Sequence, residues 1–314
     1  MEIRPLWNLA GIRVVFVGIN ALKHNIEMKE VKFPVYTTVA PAPDTICEVV
    51  GAAAFDYPFF NDGVVHSRAQ FTERKTYKLV DLDTSDATGL LEIKGFIFHT
   101  AHCGSTLLSK MLSKLPKVRV VSETEAINGL LLSALLYDLP EATVLDHLKR
   151  IIDAYRQPIH DEQYLIFKMT SWNVFLVHLF QKLYPDTNWI YIDRDTEDTV
   201  QSLLKSGRGF VDWYNHAGDS MRRCFLSDTD IYENQEGYIR LMLLKHRHFA
   251  HQGKNEKSCF VDYPDFIAEY ESVILPHFNL DYSKAEIALS LETTKFESKQ
   301  HEEVAFKKQP SIME

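Results

Sequence analysis

The stretch "FHTAHCGSTLLSKML", Phe98 to Leu112, decides how this chain is read. Apolar residues of strand character run into a turn of small residues around Gly104. Leu107, Leu108, Met111 and Leu112 then recur at helical spacing. A strand, a tight turn and a helix N-terminus in that order make an anion cradle. Successive backbone N–H groups point outward there, and the helix dipole adds partial positive charge. Ser105 and Thr106 contribute hydroxyl donors, and Cys103 is small enough for close backbone approach. A triphosphate-binding loop carries a lysine directly after its last glycine. Here Ser105 follows Gly104, so the group that grips β- and γ-phosphates is missing. Ordinary turns between strand and helix also use small residues, so other parts of the chain must identify the anion.

Downstream, "VRVVS" (118–122), "YLIFK" (164–168), "WIYID" (189–193) and "SCFVDY" (258–263) have strand character. Between them lie helical patterns. These are "AINGLLLSALLY" (126–137), a segment after Pro140 with Val144, Leu148, Ile151, Ile152 and Tyr155 on one face, and "SWNVFLVHLFQKLY" (171–184), capped by Thr170 or Ser171. "TEDTVQSLLK" (196–205) and a long segment over about 230–252 complete the series. The alternation defines an α/β fold, a P-loop-type parallel sheet flanked by helices. Ligands of such sheets sit beyond the carboxyl ends of the strands. That geometry gathers the loop at 99–106, residues 122–125, residues 168–171 and Arg194 on one rim.

Residues 1–94 differ in texture. Strand-like runs "IRVVFV" (12–17), "FPVYTTV" (33–39) and "YKLVDL" (77–82) are broken by "APAP" (40–43) and "DYPFFNDG" (56–63). They are expected to form an N-terminal β-rich appendage or substrate-side lid, leaving 95–314 as the main domain. The tail, 292–314, is polar with basic patches and is expected to fray.

Composition narrows the function. A net charge of −9 argues against a broad nucleic-acid-binding surface. The four cysteines include no CxxC pair, which points to a reducing, cytoplasmic setting rather than a disulfide scaffold. The apolar run "VVFVGINAL" (14–22) is too short to span a membrane and is flanked by charge. "DLDTSDATGLLE" (81–92) imitates a calcium loop but has Asp86 where that loop turns on glycine. His246, His248 and His251 lie close together without a further ligand, and are expected on a partly exposed helix face. Lys110, on the helix after the loop, is expected at the surface.

"YIDRDTEDTVQS" (191–202) places Arg194 at a strand end and Ser202 eight residues on, two turns into a helix. Such an arginine can grip a phosphate bidentately, with the hydroxyl completing the site. Combined with the lysine-free loop, this resembles the sulfotransferases that use 3′-phosphoadenosine 5′-phosphosulfate (PAPS), above all bacterial members acting on small molecules or carbohydrates. Their loop runs proline, basic residue, small residue, then Gly-Thr/Ser-Thr. Arg194 and Ser202 match their Arg-x7-Ser element. "IFKMTSWN" (166–173) resembles their third-strand segment, and "FVDYPDF" (260–266) a late strand–turn–helix. The resemblance spans roughly 95–300 and consists of four loose motifs in the right order.

What the resemblance implies is specific. PAPS is the donor and adenosine 3′,5′-bisphosphate the product, with no metal required. His102, Cys103, Gly104, Ser105 and Thr106 would hold the 5′-phosphosulfate. Arg194 and Ser202 would hold the 3′-phosphate, and Lys299, beside Ser298, would reach it from a late loop. Lys168 would be the second active-site lysine. The chain also departs from the pattern. Ala101 replaces the proline, and His102 replaces the basic residue that stabilises charge on the leaving oxygen. His102 could do this protonated or by donating one hydrogen bond. Thr170 stands where cytosolic members keep a catalytic histidine, so the base is expected to be Glu123, with Glu125 competing. The acceptor is expected to be a small molecule with a hydroxyl or amine, held by aromatic residues in 207–240 and the 50–75 segment. Two other functions remain open at this point. One is a P-loop kinase using ATP–magnesium with Asp193 on the metal. The other is an inactive nucleotide-binding protein of the same fold.

Overall fold

The apolar runs become one parallel sheet, most of whose strands are buried on both faces. The computed structural model describes residues 31–69, 75–82, 89–216, 224–296 and 299. Its main sheet contains β4 (Glu92–His99), β5 (Val118–Ser122), β6 (Tyr164–Lys168), β7 (Trp189–Arg194) and β8 (Ser258–Tyr263) in the order β5-β6-β4-β7-β8. Every neighbouring pair is parallel. Side chains alternate between two cores, as the two-residue period of a strand demands. Phe96, Phe98, Phe167, Trp189 and Tyr191 face one side, while Ile97, Ile166, Ile190 and Ile192 face the other.

The aliphatic face is covered by α2 (Ser105–Ser113) and the C-terminal helices. The aromatic face is covered by α3 (Glu125–Tyr137), α4 (Glu141–Tyr155), α5 (Val177–Leu183) and the later helix α8 (Gln235–Gln252). Ser171–Leu176, expected as the start of a helix, is a 3-10 segment that precedes α5, with Thr170 as its N-cap. From β4 the chain crosses to β5 on one side and later to β7 on the other. The carboxyl end of β4 is therefore a switch point, where a crevice opens.

The N-terminal region forms a three-stranded antiparallel sheet, β1 (Lys32–Thr37), β2 (Thr45–Val49) and β3 (Thr76–Lys78), in that order. β2 was not evident in the sequence, nor was α1 (Phe60–Arg68), which grows out of the supposed break at 56–63. Gly63 makes α1 possible in that place: a Cβ there would lie 2.1 Å from the Ala54 carbonyl oxygen. The run at 12–17 lies outside the described residues, as do positions 83–88 of the calcium-loop look-alike. β4 begins at Glu92, so a boundary after residue 94 falls inside the strand.

This small sheet shares the aromatic-face core. Gly129 of α3 lies so close to β1 that a Cβ would meet the Thr37 carbonyl oxygen at 2.1 Å. Arg119 of β5, its side chain buried, reaches the Tyr155 and Gln157 carbonyls and Glu162, and lies over the rings of Phe33 and Phe55. Tyr155 donates its hydroxyl hydrogen to the Pro34 carbonyl and sits 2.5 Å from the Thr124 hydroxyl. That chain of contacts connects β1 to the turn holding Glu123 and Glu125.

Candidate active site

The loop after β4 has the form the sequence foretold. Gly104 adopts φ +80° as the N-cap of α2, and a Cβ there would lie 2.4 Å from the Tyr263 ring. Glycine is thus required twice, for conformation and for space. His102 also adopts positive φ, at 55°. The first N–H groups of α2 have no intrahelical acceptor, so they and the dipole face the crevice. Cys103 is buried and donates its thiol hydrogen to the Thr100 carbonyl at 3.0 Å, and burial pushes the thiol up to about 12. It is a neutral packing residue.

Beyond the loop lies one cavity of about 830 Å³. His102, Cys103, Gly104, Ser105, Thr106, Arg194, Ser202, Lys299 and Glu123 all line it, so the fold gathers nearly every expected site residue. Ser298 lies outside the described residues.

Arg194 is the candidate anion-binding side chain most firmly held in place. It donates to the His102 carbonyl at 3.1 Å and to Asp198 at 3.4 Å, and lies over the Tyr263 ring. Its Nε is buried and has no hydrogen-bond partner among the described residues. The Ser202 hydroxyl lies 2.8 Å from His102 Nδ1. Burial, Lys299 and Arg194 push His102 down to about 4, so the imidazole is neutral at physiological pH. His102 therefore does not replace the charge of a lysine or arginine. It joins the loop to Ser202 by a hydrogen bond. Lys299 has its own pKa lowered, by desolvation and by Lys168, which marks a region short of negative charge.

Lys168 is placed differently from expectation. Its side chain is 1% exposed and lies beneath the cavity wall, paired with Glu123 and donating to the Thr106 hydroxyl at 3.2 Å. Its ammonium also sits 5.1 Å from the centre of the Phe59 ring. Glu123, at φ 49°, receives that charge while facing the cavity. Glu125 stands nearby at the start of α3. Desolvation raises its carboxyl, opposed by a hydrogen bond from Asn128 and reinforced by Glu123.

Asp193, the potential magnesium ligand of the kinase reading, is held by Arg247 of α8 at 2.5 and 3.1 Å. A carboxylate so engaged is a structural anchor, since the same guanidinium also bonds the Arg194 carbonyl at 2.7 Å. Lys110 is half-buried on α2.

Several cavity residues escaped sequence reasoning: His99, Arg208, Tyr263, Asn128 and Trp172. Only His99, adjacent to the loop, left a signal that could have been followed. Phe210 and Trp213 line the cavity, and so do Phe59 and Asp62, residues of the 207–240 and 50–75 segments. Tyr214, Tyr232 and Tyr238 pack on one another instead.

His246 corrects the expectation of an exposed face. It is fully buried between Phe175 and Phe210, with both ring nitrogens unpartnered among the described residues, because the 3.6-residue period turns position 246 inward while 248 and 251 face out. Among the described residues no three His, Cys, Asp or Glu side chains converge as a metal site.

His99, His102 and His246 titrate low, near 4, 4 and 3, each chiefly through burial. Unfolded histidines titrate near 6.5. Between about pH 6.5 and 4 the unfolded chain therefore binds more protons, and stability rises with pH. Each histidine contributes at most about 1.4 kcal/mol per pH unit. The urea midpoint is expected to fall clearly between pH 7.5 and 5, and His246→Leu to make that fall shallower. A midpoint unchanged at pH 5 would contradict the burial of these rings.

No protein-family model matches the chain, and no curated protein matches its sequence. Among solved structures, the chain is similar to a sulfotransferase from Alicyclobacillus acidocaldarius, with 14% identity over 61% of this chain and 83% of that one and a TM-score of 0.38. It is similar to a sulfotransferase from Mycobacterium avium, with 13% identity over 75% and 73% and a TM-score of 0.45. It is also similar to the sulfotransferase domain from the curacin biosynthetic pathway, with 13% identity over 70% and 85% and a TM-score of 0.39. At these values the likenesses carry no weight for function, which is argued from the side chains.

Proposed function

We infer that the chain is a sulfotransferase that moves the sulfuryl group of PAPS to a hydroxyl or amine of a small-molecule acceptor. The observation that carries this reading is the guanidinium of Arg194, fixed beside a lysine-free loop and lining the same cavity as Ser202 and Lys299. Together they offer donors for two separate anionic groups. The loop amides with Ser105 and Thr106 hold the 5′ end, while Arg194 and Ser202 hold the 3′-phosphate. When bound, the donor supplies an activated sulfuryl group. Lys299 adds positive charge at the cavity, and neutral His102 holds Ser202 in place.

Of the two carboxylates, Glu125 is the base in this reading. Its raised pKa makes it the better proton acceptor, and Glu123 is committed to Lys168. The acceptor occupies the side of the cavity formed by Phe59, Asp62, Trp172, Phe210 and Trp213. A thermal-shift comparison tests the reading. Adenosine 3′,5′-bisphosphate is expected to stabilise the protein by several degrees, and ATP–magnesium much less. Stabilisation by ATP–magnesium alone would replace this reading with a kinase, the alternative that Arg247 on Asp193 disfavours.

A further inference from the structure

His99 closes β4 immediately before the loop, and it has an unusual set of neighbours. It is 4% exposed. Its Nδ1 lies 2.6 Å from the Thr100 carbonyl oxygen, and its Nε2 lies 2.8 Å from the Met169 carbonyl oxygen. A carbonyl oxygen only accepts. A neutral imidazole carries one N–H, so one of these contacts then sets a ring lone pair against a carbonyl lone pair. Both are hydrogen bonds only in the imidazolium. Nε2 also lies 4.0 Å from Glu123 Oε1, on the carboxylate that already serves Lys168.

The charged and titratable groups that act on His99 come from the ends of β5 and β6, from the loop and from α8. Glu123 follows β5, Lys168 ends β6, His102 lies in the loop, and His246 approaches from α8. Glu123 alone among these is negative, and Lys168 shares it. In the free protein, burial and Lys168 hold the ring down to about 4. A second negative charge in the cavity that His99 itself lines would change that balance.

We propose that His99 is a positioning residue that takes up one proton from solvent when an anion settles on the loop. The imidazolium then donates to Thr100 and Met169 together, and so fixes the loop against the β6 end and Glu123. The inference rests on the anion site of the proposed function, but not on the identity of the donor. It also gives a place to the positive charge that His102 does not carry.

Two anions separate the possibilities: adenosine 3′,5′-bisphosphate, and inorganic sulfate, which does not titrate near neutrality. Calorimetric titrations at pH 5.5, in cationic and zwitterionic buffers of different ionisation enthalpy, read the protons taken up. Native protein is expected to take up close to one proton per sulfate. With the bisphosphate it should take up close to one more than His99→Gln does. Sulfate affinity of the native protein should tighten by up to about tenfold per pH unit as pH falls from about 6 towards about 4.5, and that of His99→Gln should tighten less. Ring ¹⁵N NMR of histidine-labelled protein, with the His99 signal assigned by its loss in His99→Gln, reads the same event: the His99 imidazole should become imidazolium on adding sulfate. Bisphosphate failing while sulfate binds with proton uptake would overturn the PAPS reading and support this one. Anion binding without proton uptake, or no binding of either anion, would overturn the role of His99.

Discussion

Arg194→Ala is expected to weaken binding of adenosine 3′,5′-bisphosphate by about 30- to 1,000-fold, the cost of removing one side of a desolvated charge pair. The guanidinium is already fixed before any ligand arrives, by the His102 carbonyl, Asp198 and the Tyr263 ring. Little ordering is left for binding to oppose, so most of its interaction energy is available to the anion. Arg194→Lys should recover only part of the loss, since an ammonium keeps the charge but not the planar fork. Calorimetry with the bisphosphate measures both variants. An unchanged affinity in Arg194→Ala would move the second phosphate site to Lys299 and Arg208, the other basic residues of the cavity wall.

The second large effect concerns Glu123 and Lys168, and it is asymmetric. Lys168 is the deeper partner, with its side chain 1% exposed against 21% for Glu123. Removing Glu123 strands a buried ammonium whose other hydrogen-bond partner is the Thr106 hydroxyl. Glu123→Ala should therefore cost about 3–5 kcal/mol of unfolding free energy. Lys168→Met leaves a carboxylate that still reaches water, and should cost clearly less. The double variant should be more stable than Glu123→Ala alone. Urea unfolding of the four proteins tests this. Equal losses for both single variants would contradict the burial asymmetry. The result also bears on catalysis: lost turnover in a Glu123 variant reports a collapsed floor, whereas Glu125→Gln probes the base more directly.

Much of the main sheet was legible because burial on both faces leaves a local mark. β5, β6 and β8 begin and end where the apolar runs do, and the helix after the loop starts at Ser105. The N-terminal region was less legible. β3 is three residues long and β2 carries a buried Glu48 held by Arg68, so neither shows clean alternation. α1 hides behind Pro58 and Gly63, residues that usually punctuate rather than open a helix.

The sequence by itself determined the parallel α/β architecture, the strand–turn–helix form of the loop at 102–106, and the placing of Arg194 on the same rim. Residue spacing encodes these directly, through strand and helix periods and the switch-point rule. Only the tertiary structure decided the charge and office of each side chain. It made His102 neutral, sank Lys168 beneath Glu123, engaged Asp193 with Arg247, and brought His99 between two carbonyls. Protonation and pairing depend on burial and on partners distant along the chain, and Glu123 and Lys168 are 45 residues apart. No local pattern records them.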